Sequence, residues 1–227
     1  MMNSLVRPFG PQVNLRNHDV FLRPLYELEN RALAGIEMSF AGRAAGLRVK
    51  PETLAEVLGS IRNSLSPEAF VCVSLGQNEL SDPAYPEALA STFARTHSGT
   101  SNICLFFEDA LFPKLGFAAM EQFVRFKRLG FRLGVDIINL QTLPALIVER
   151  LPADVLRLDP LDALALPGDP QSLRDIQDFS SFAANLLMLP AARGVRSMGQ
   201  LNLLRDMGVR IGQGPVFSDI APPSYPS

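Results

Sequence analysis

The chain has no tryptophan, only two cysteines and two histidines, and a formal net charge of −2 over 227 residues. Each shortage removes a class of function. The balance of 21 Lys and Arg against 23 Asp and Glu gives no general attraction to a nucleic-acid polymer or an anionic membrane surface. No apolar run reaches the roughly 20 residues that a bilayer-spanning helix needs. The opening residues MMNSLVRPFG lack the apolar stretch of a signal peptide, so a cytoplasmic location is expected. Cys72 and Cys104 each sit inside a β-like apolar run, without metal or redox spacing, and read as buried free thiols. His18 and His97 lie far apart in polar connections and make no ligand set.

What is present is an ample apolar fraction, 47%, with 19% charged residues, ordinary for a globular domain. Eight β-like runs follow one another: Val20–Leu28, Ala32–Phe40, Ala69–Leu75, Ile103–Phe107, Arg132–Ile138, Val155–Leu158, Leu186–Leu189 and Val209–Ile211. Helical periodicity separates most of them. Leu54, Val57, Leu58, Ile61 and Leu65 share one helical face, with Pro51 suited to a first turn. Leu115, Ala119, Phe123 and Phe126 repeat the pattern until Gly130 stops it, and Asp169-Pro170 opens a third helix through Leu173, Ile176 and Ala183. Strands alternating with helices indicate an α/β fold of parallel β-α units, and about eight strands suit a closed TIM-like (β/α)8 barrel. Only Glu29, Asn30 and Arg31 separate the first two strands, too few for a crossover helix, so that pair is expected to be antiparallel. Residues 1–18 read as an N-terminal extension, 19–223 as one barrel domain and 224–227 as a tail.

Several segments, in order, resemble the EAL family of cyclic di-GMP phosphodiesterases. Phe21-Leu22-Arg23-Pro24-Leu25 is similar to the family's FYQPI strand, and Gly35-Ile36-Glu37-Met38-Ser39 falls on its GVEAL signature. Val73-Ser74-Leu75 stands for VNLS, and Leu151 to Asp159 for LPVDVLKID. Ala192-Arg193-Gly194-Val195-Arg196 stands for AEGVE, and Gly212-Gln213-Gly214-Pro215-Val216-Phe217 for GQGYLF. The resemblance implies an EAL-type barrel. Between Glu37 and Ser74 the chain is shorter than the family pattern, which leaves room for the loss of a helix after the second strand.

The resemblance also implies a pocket at the strand ends where carboxylates hold two divalent cations, Mg²⁺ or Mn²⁺, for hydrolysis. By that match Glu37 keeps the signature glutamate, Asp136 the first aspartate of DDFGTG, Glu108 the second glutamate of EITES, and Gln213 the late glutamine. Ser74 replaces an asparagine, Leu105 the first glutamate of EITES, Ile137 the second aspartate, Arg157 the lysine of KID and Arg193 the glutamate of AEGVE. Nucleotide-gripping positions change too: Arg23 for glutamine, Ser39 for leucine and Ala41 for arginine. The glycine-rich DDFGTGYSSL loop becomes Asp136 to Ala145, without glycine. Leu, Ile and Ser are poor ligands for a hard cation, and an arginine repels one. No catalytic residue and no metal are therefore expected. Arg157 and Arg193 would instead neutralise Glu37, Glu108 and Asp136 as fixed charges. The expected role is an inactive, protein-contacting signalling module with an unidentified protein partner. Binding of cyclic di-GMP without hydrolysis is the alternative, and weak hydrolysis the third.

Overall fold

The computed structural model describes residues 12–15, 18–40, 49–62, 65–66, 69–95, 99–138, 148–158 and 169–220. The alternation of strands and helices resolves into one sheet of nine strands: β1 (Gln12–Leu15), β2 (His18–Glu27), β3 (Leu33–Phe40), β4 (Phe70–Ser74), β5 (Ile103–Glu108), β6 (Arg132–Ile137), β7 (Val155–Leu158), β8 (Leu189–Arg193) and β9 (Ile211–Gln213). Neighbours in sequence are neighbours in the sheet, and an additional β2–β9 pairing closes β2 to β9 into a barrel. From β3 to β9 every pairing is parallel, whereas β2 runs antiparallel to both β3 and β9.

The short Glu29–Arg31 connection forces that reversal. Asn30 Oδ1 accepts the Ala32 amide at 2.7 Å, an Asx-type turn, and Arg31 takes a left-handed backbone with φ of 60°. Closure against β9 is brief, through Tyr26↔Gly212 and Glu27↔Ile211. Above those pairs the Gln213 side chain takes over, its Nε2 donating to the Arg23 carbonyl at 3.2 Å. β1 pairs with the first residues of β2, from Gln12↔Phe21 to Leu15↔His18. Five residues of the expected N-terminal extension, Gln12–Leu15 and His18, are thus part of the sheet.

The helices α1 (Pro51–Arg62), α2 (Gln77–Ser81), α3 (Tyr85–Arg95), α4 (Leu111–Leu115), α5 (Phe117–Arg128), α6 (Pro170–Asn185) and α7 (Met198–Asp206) accompany the barrel. The shortened crossover from β3 to β4 keeps its helix, α1. Buried Glu79 accepts the Val49 and Gly76 amides, each at 2.8 Å, and Tyr85 Oη donates to the Val49 carbonyl at 2.9 Å. Asp169 caps α6, accepting the Ser172 amide at 2.9 Å, with Pro170 at its first position. Ala41, His97 and residues 139–147, which include most of the loop after Asp136, lie outside the described residues.

Two apolar layers follow from the strand alternation. The larger lies between the barrel wall and the helices and includes Leu22, Ile36, Leu105, Phe107, Phe123, Phe126 and Ile137. The smaller fills the barrel interior with Leu25, Cys72, Cys104, Phe106, Val155, Ala191 and Ile211. Cys72 and Cys104 are Cα partners across β4 and β5, both buried and free as read from the sequence. Burial, followed by the neighbouring Cys104, pushes the Cys72 thiol well above its ordinary range.

Between α6 and β8 the chain turns through Leu187, whose φ is 58° and whose side chain is 93% exposed. That is a position glycine ordinarily fills after a helix, and a left-handed non-glycine residue costs about 1–2 kcal/mol. Leu187→Gly is therefore expected to raise stability by about 1 kcal/mol, a rise in Tm of about 2–4 °C for a chain of this size. Thermal unfolding followed by circular dichroism checks it, and an unchanged or lower Tm would contradict it.

Candidate functional site

At the mouth, where β3 to β9 end and β2 begins, the strand register brings most of the candidate residues to one place. Arg23 faces Glu37 across β2 and β3, Asp136 faces Arg157 across β6 and β7, and Arg193 faces Gln213 across β8 and β9. Ser74, the last residue of β4, has its hydroxyl 3.5 Å from Glu37 Oε1. Arg23 Nη1 donates to the Ser39 hydroxyl at 3.2 Å.

Arg157 is the centre of the arrangement. It is fully buried and is the largest such side chain among the described residues. Its Nε and Nη2 form a two-pronged bond to Asp136, at 2.6 and 2.9 Å, and Nη2 also lies 3.2 Å from Glu37 Oε1. Below it, the guanidinium carbon sits 3.8 Å from the centre of the Phe106 ring, a cation–π stack. Glu37 receives two further cations. Arg193 Nη2 bonds its Oε1, and Arg23 Nη1 lies 3.5 Å from its Oε2. Three guanidinium groups thus surround two buried carboxylates.

The electrostatics follow from that count. Burial alone would raise the Glu37 pKa, but Arg157, Arg193 and Arg23 together hold it at about 2, below the ordinary 4.5. Arg157 is held well above its ordinary value because Asp136 and Glu37 outweigh the burial that would lower it. Arg23 goes the other way. Burial lowers it more than Glu37 raises it, and the charges of Arg193 and Arg157 add to the lowering. Arg157 Nη1 and Gln213 Oε1 are buried without a hydrogen-bond partner among the described residues.

Three sequence expectations change. Glu108 is the Cα partner of Asp136 but is exposed and takes no part in the arginine ion pairs, because it ends β5 at the rim. Leu105 does not face the pocket. It packs in the outer layer, and the inward residue nearest it is Phe106. The alternation of β5 carries the signal that was missed, since Cys104, Phe106 and Glu108 share one face. Ile137, buried with Leu105 in the outer layer, likewise stands behind the wall rather than in the mouth. Asp109, also absent from the sequence expectations, is buried beside the site, and its amide donates to the Asp136 carbonyl at 2.9 Å. Burial raises its pKa, and the charge of Asp136 adds to the rise.

Gly134 makes the Phe106 platform fit. A Cβ there would meet the Phe106 ring at 2.3 to 2.6 Å. The ring cannot withdraw without leaving Arg157, so Gly134→Ala is expected to destabilise by about 1–3 kcal/mol. Urea unfolding measures it, and a loss below about 0.5 kcal/mol would show that the ring yields.

Among the described residues no group of three or more His, Cys, Asp or Glu side chains is placed to hold a metal ion. No described helix is long and apolar enough to cross a membrane. In solved structures the same fold recurs. The EAL domain of Mycobacterium smegmatis DcpA superposes with a TM-score of 0.77 at 14% identity, over 86% of this chain and 89% of that one. Klebsiella pneumoniae BlrP1, in its manganese and cyclic di-GMP complex, gives 0.78 at 13% identity, over 90% of this chain and 56% of that one. An uncharacterized protein of Azorhizobium caulinodans is 25% identical over 152 residues, 67% of this chain. The chain spans only 21% of that relative's length. The sequence model of the EAL domain matches residues 51–219, so the chain belongs to the EAL domain family.

Proposed function

We propose that this chain is an EAL domain without phosphodiesterase activity that acts in cyclic di-GMP signalling by contacting a protein partner. One observation carries the loss of activity: the Arg157 guanidinium binds both oxygens of Asp136 while touching Glu37. Those are two of the three retained carboxylates to which the family resemblance assigns metal binding; the third, Glu108, is exposed at the rim. A divalent cation needs their oxygens and must approach them where a buried, permanently charged group already lies. The donor set does not fit the two cations the family uses, and Phe106 adds an apolar face rather than a ligand. What remains is an ion-paired barrel end, with Ile138 exposed just after β6.

Binding of cyclic di-GMP without hydrolysis is the second reading, and one observation favours it. The cluster holds three arginines against two carboxylates, and the Arg23 and Arg193 side chains keep 21% and 27% exposure. A phosphate suits the surplus guanidinium. Thermal unfolding with cyclic di-GMP, with and without Mg²⁺, separates the readings. No shift in either condition supports the protein-contacting module, and a metal-independent shift supports the nucleotide receptor. A shift that requires Mg²⁺, accompanied by hydrolysis, would overturn both.

A further inference from the structure

The opposite end of the barrel has a cavity of its own, about 560 Å³ in volume. Six of the eight barrel strands reach it, and each does so through its bottom-end residues: the end of β2 and the starts of β3, β4, β6, β8 and β9. It is therefore an axial pit, closed above by the apolar barrel interior. Phe70 and Leu189 pack against that interior while remaining partly exposed, and Ile211 belongs to it. Among the described residues the floor of the pit is thus partly exposed core. Its volume lies in the range of small-molecule sites, which join an apolar lining to a few convergent polar groups.

The rim supplies both signs of charge. Arg132 begins β6, across the barrel from Arg210, which immediately precedes β9. Both are exposed, and neither enters an ion pair among the described residues. Glu27 and Glu29, also exposed, line the side formed by β2 and its turn. Glu27 accepts the Asn30 side-chain amide on one oxygen at 2.8 Å and, among the described residues, keeps the other. A simple anion would meet two carboxylates here, and a simple cation two guanidinium groups. A ligand carrying both charges beside an apolar body meets a partner for each part.

We propose that this pit binds a free zwitterionic amino acid with a large apolar side chain. Its carboxylate would pair with Arg132 and Arg210, its ammonium with Glu27 and Glu29, and its side chain would cover Phe70, Leu189 and Ile211. The site is independent of the arginine cluster at the mouth and of the function proposed for it.

Isothermal titration of the full chain with L-phenylalanine and L-leucine tests the site. Phenylacetate, which lacks the ammonium, and 2-phenylethylamine, which lacks the carboxylate, are the comparison probes. Saturable binding with a Kd of about 1 mM or tighter is expected for at least one amino acid, and about tenfold weaker binding for both comparison probes. Arg132→Gln and Arg210→Gln should each weaken binding about tenfold, and Arg174→Gln, on the exposed face of α6, should not. Circular dichroism confirms that each variant is folded. No saturation by about 20 mM, equal binding of phenylacetate, or unchanged affinity in folded Arg132→Gln would each overturn the proposal.

Discussion

Replacing Arg157 by methionine is expected to lower the unfolding free energy by about 3–5 kcal/mol, the usual consequence of removing one partner from a buried ion pair. The residue is fully buried, and Asp136 and Glu37 are each no more than 4% exposed. Without the guanidinium, the buried Asp136 carboxylate would lose its ion-pair partner among the described residues. Glu37 would retain Arg193 and Arg23, both at the solvent side of the mouth. Methionine preserves much of the side-chain volume, so lost charge rather than an empty space dominates the outcome. The second substitution is the sharper control. Adding Asp136→Leu to Arg157→Met removes the stranded charge and should recover more than half of the loss, since paired apolar replacements of buried ions are often neutral or better. Urea unfolding at neutral pH measures both. A single variant within about 1 kcal/mol of the original protein would mean that the pair contributes little.

Acid should weaken the fold through Glu37. Its pKa in the folded chain is about 2 against an ordinary 4.5, so the unfolded chain binds protons more readily than the folded one. The stabilisation is fully present above about pH 4.5 and is lost as pH falls toward 2. Its size is on the order of 3 kcal/mol, from about 1.4 kcal/mol for each unit of difference. Other carboxylates titrate in the same window, and buried Asp109, with its raised pKa, works in the opposite direction. Comparison with Glu37→Gln isolates the contribution. The variant should lose less stability between pH 5 and pH 2.5 than the original chain. Parallel curves for the two proteins would remove Glu37 as the cause. High salt should change the difference only slightly, because the pair lies out of solvent.

Much of the barrel was legible in the sequence because its strands are rich in β-branched and aromatic residues and its helices are amphipathic. Pro51 and Asp169-Pro170 marked two helix starts correctly, and the short turn at Asn30 fixed the antiparallel hairpin. The last two strands were harder. Sequence places them over Leu186–Leu189 and Val209–Ile211, whereas β8 runs Leu189–Arg193 and β9 Ile211–Gln213. Pro190, Ala191, Ala192 and Gly212 have little intrinsic preference for a strand, and pairing with neighbours on both sides holds them there. The helices α2, α3, α4 and α7 were passed over because each is short or opens without an apolar repeat, and Leu115, read into the helix of Phe123 and Phe126, ends α4 instead. In the site, the family resemblance named Glu37, Asp136, Arg157, Arg193 and Gln213, which the strand register brings together at the mouth. It misplaced Leu105 because two phenylalanines in a row, Phe106 and Phe107, give no polarity from which to read an inward face. The two-pronged geometry of Arg157 on Asp136 needs coordinates, since no spacing rule reveals which of several arginines reaches the barrel axis.

The brief contact between β2 and β9 gives the barrel a seam. Among the described residues two residue pairs, the Leu28 amide on the Arg210 carbonyl and one glutamine side chain hold it, while β2 and β3 are joined along nearly their whole length. Strands β1 to β3 therefore form a flap, hinged on β4 and latched to β9. The family's sequence model begins at residue 51, just beyond that flap, yet Arg23 and Glu37 are carried on it. Releasing the latch would break few main-chain bonds, but it would also draw Glu37 away from Arg157 and Arg193. The arginine cluster is thus a fastener as well as a plug: its ion pairs lock the flap shut from inside the mouth, where the main chain holds it least.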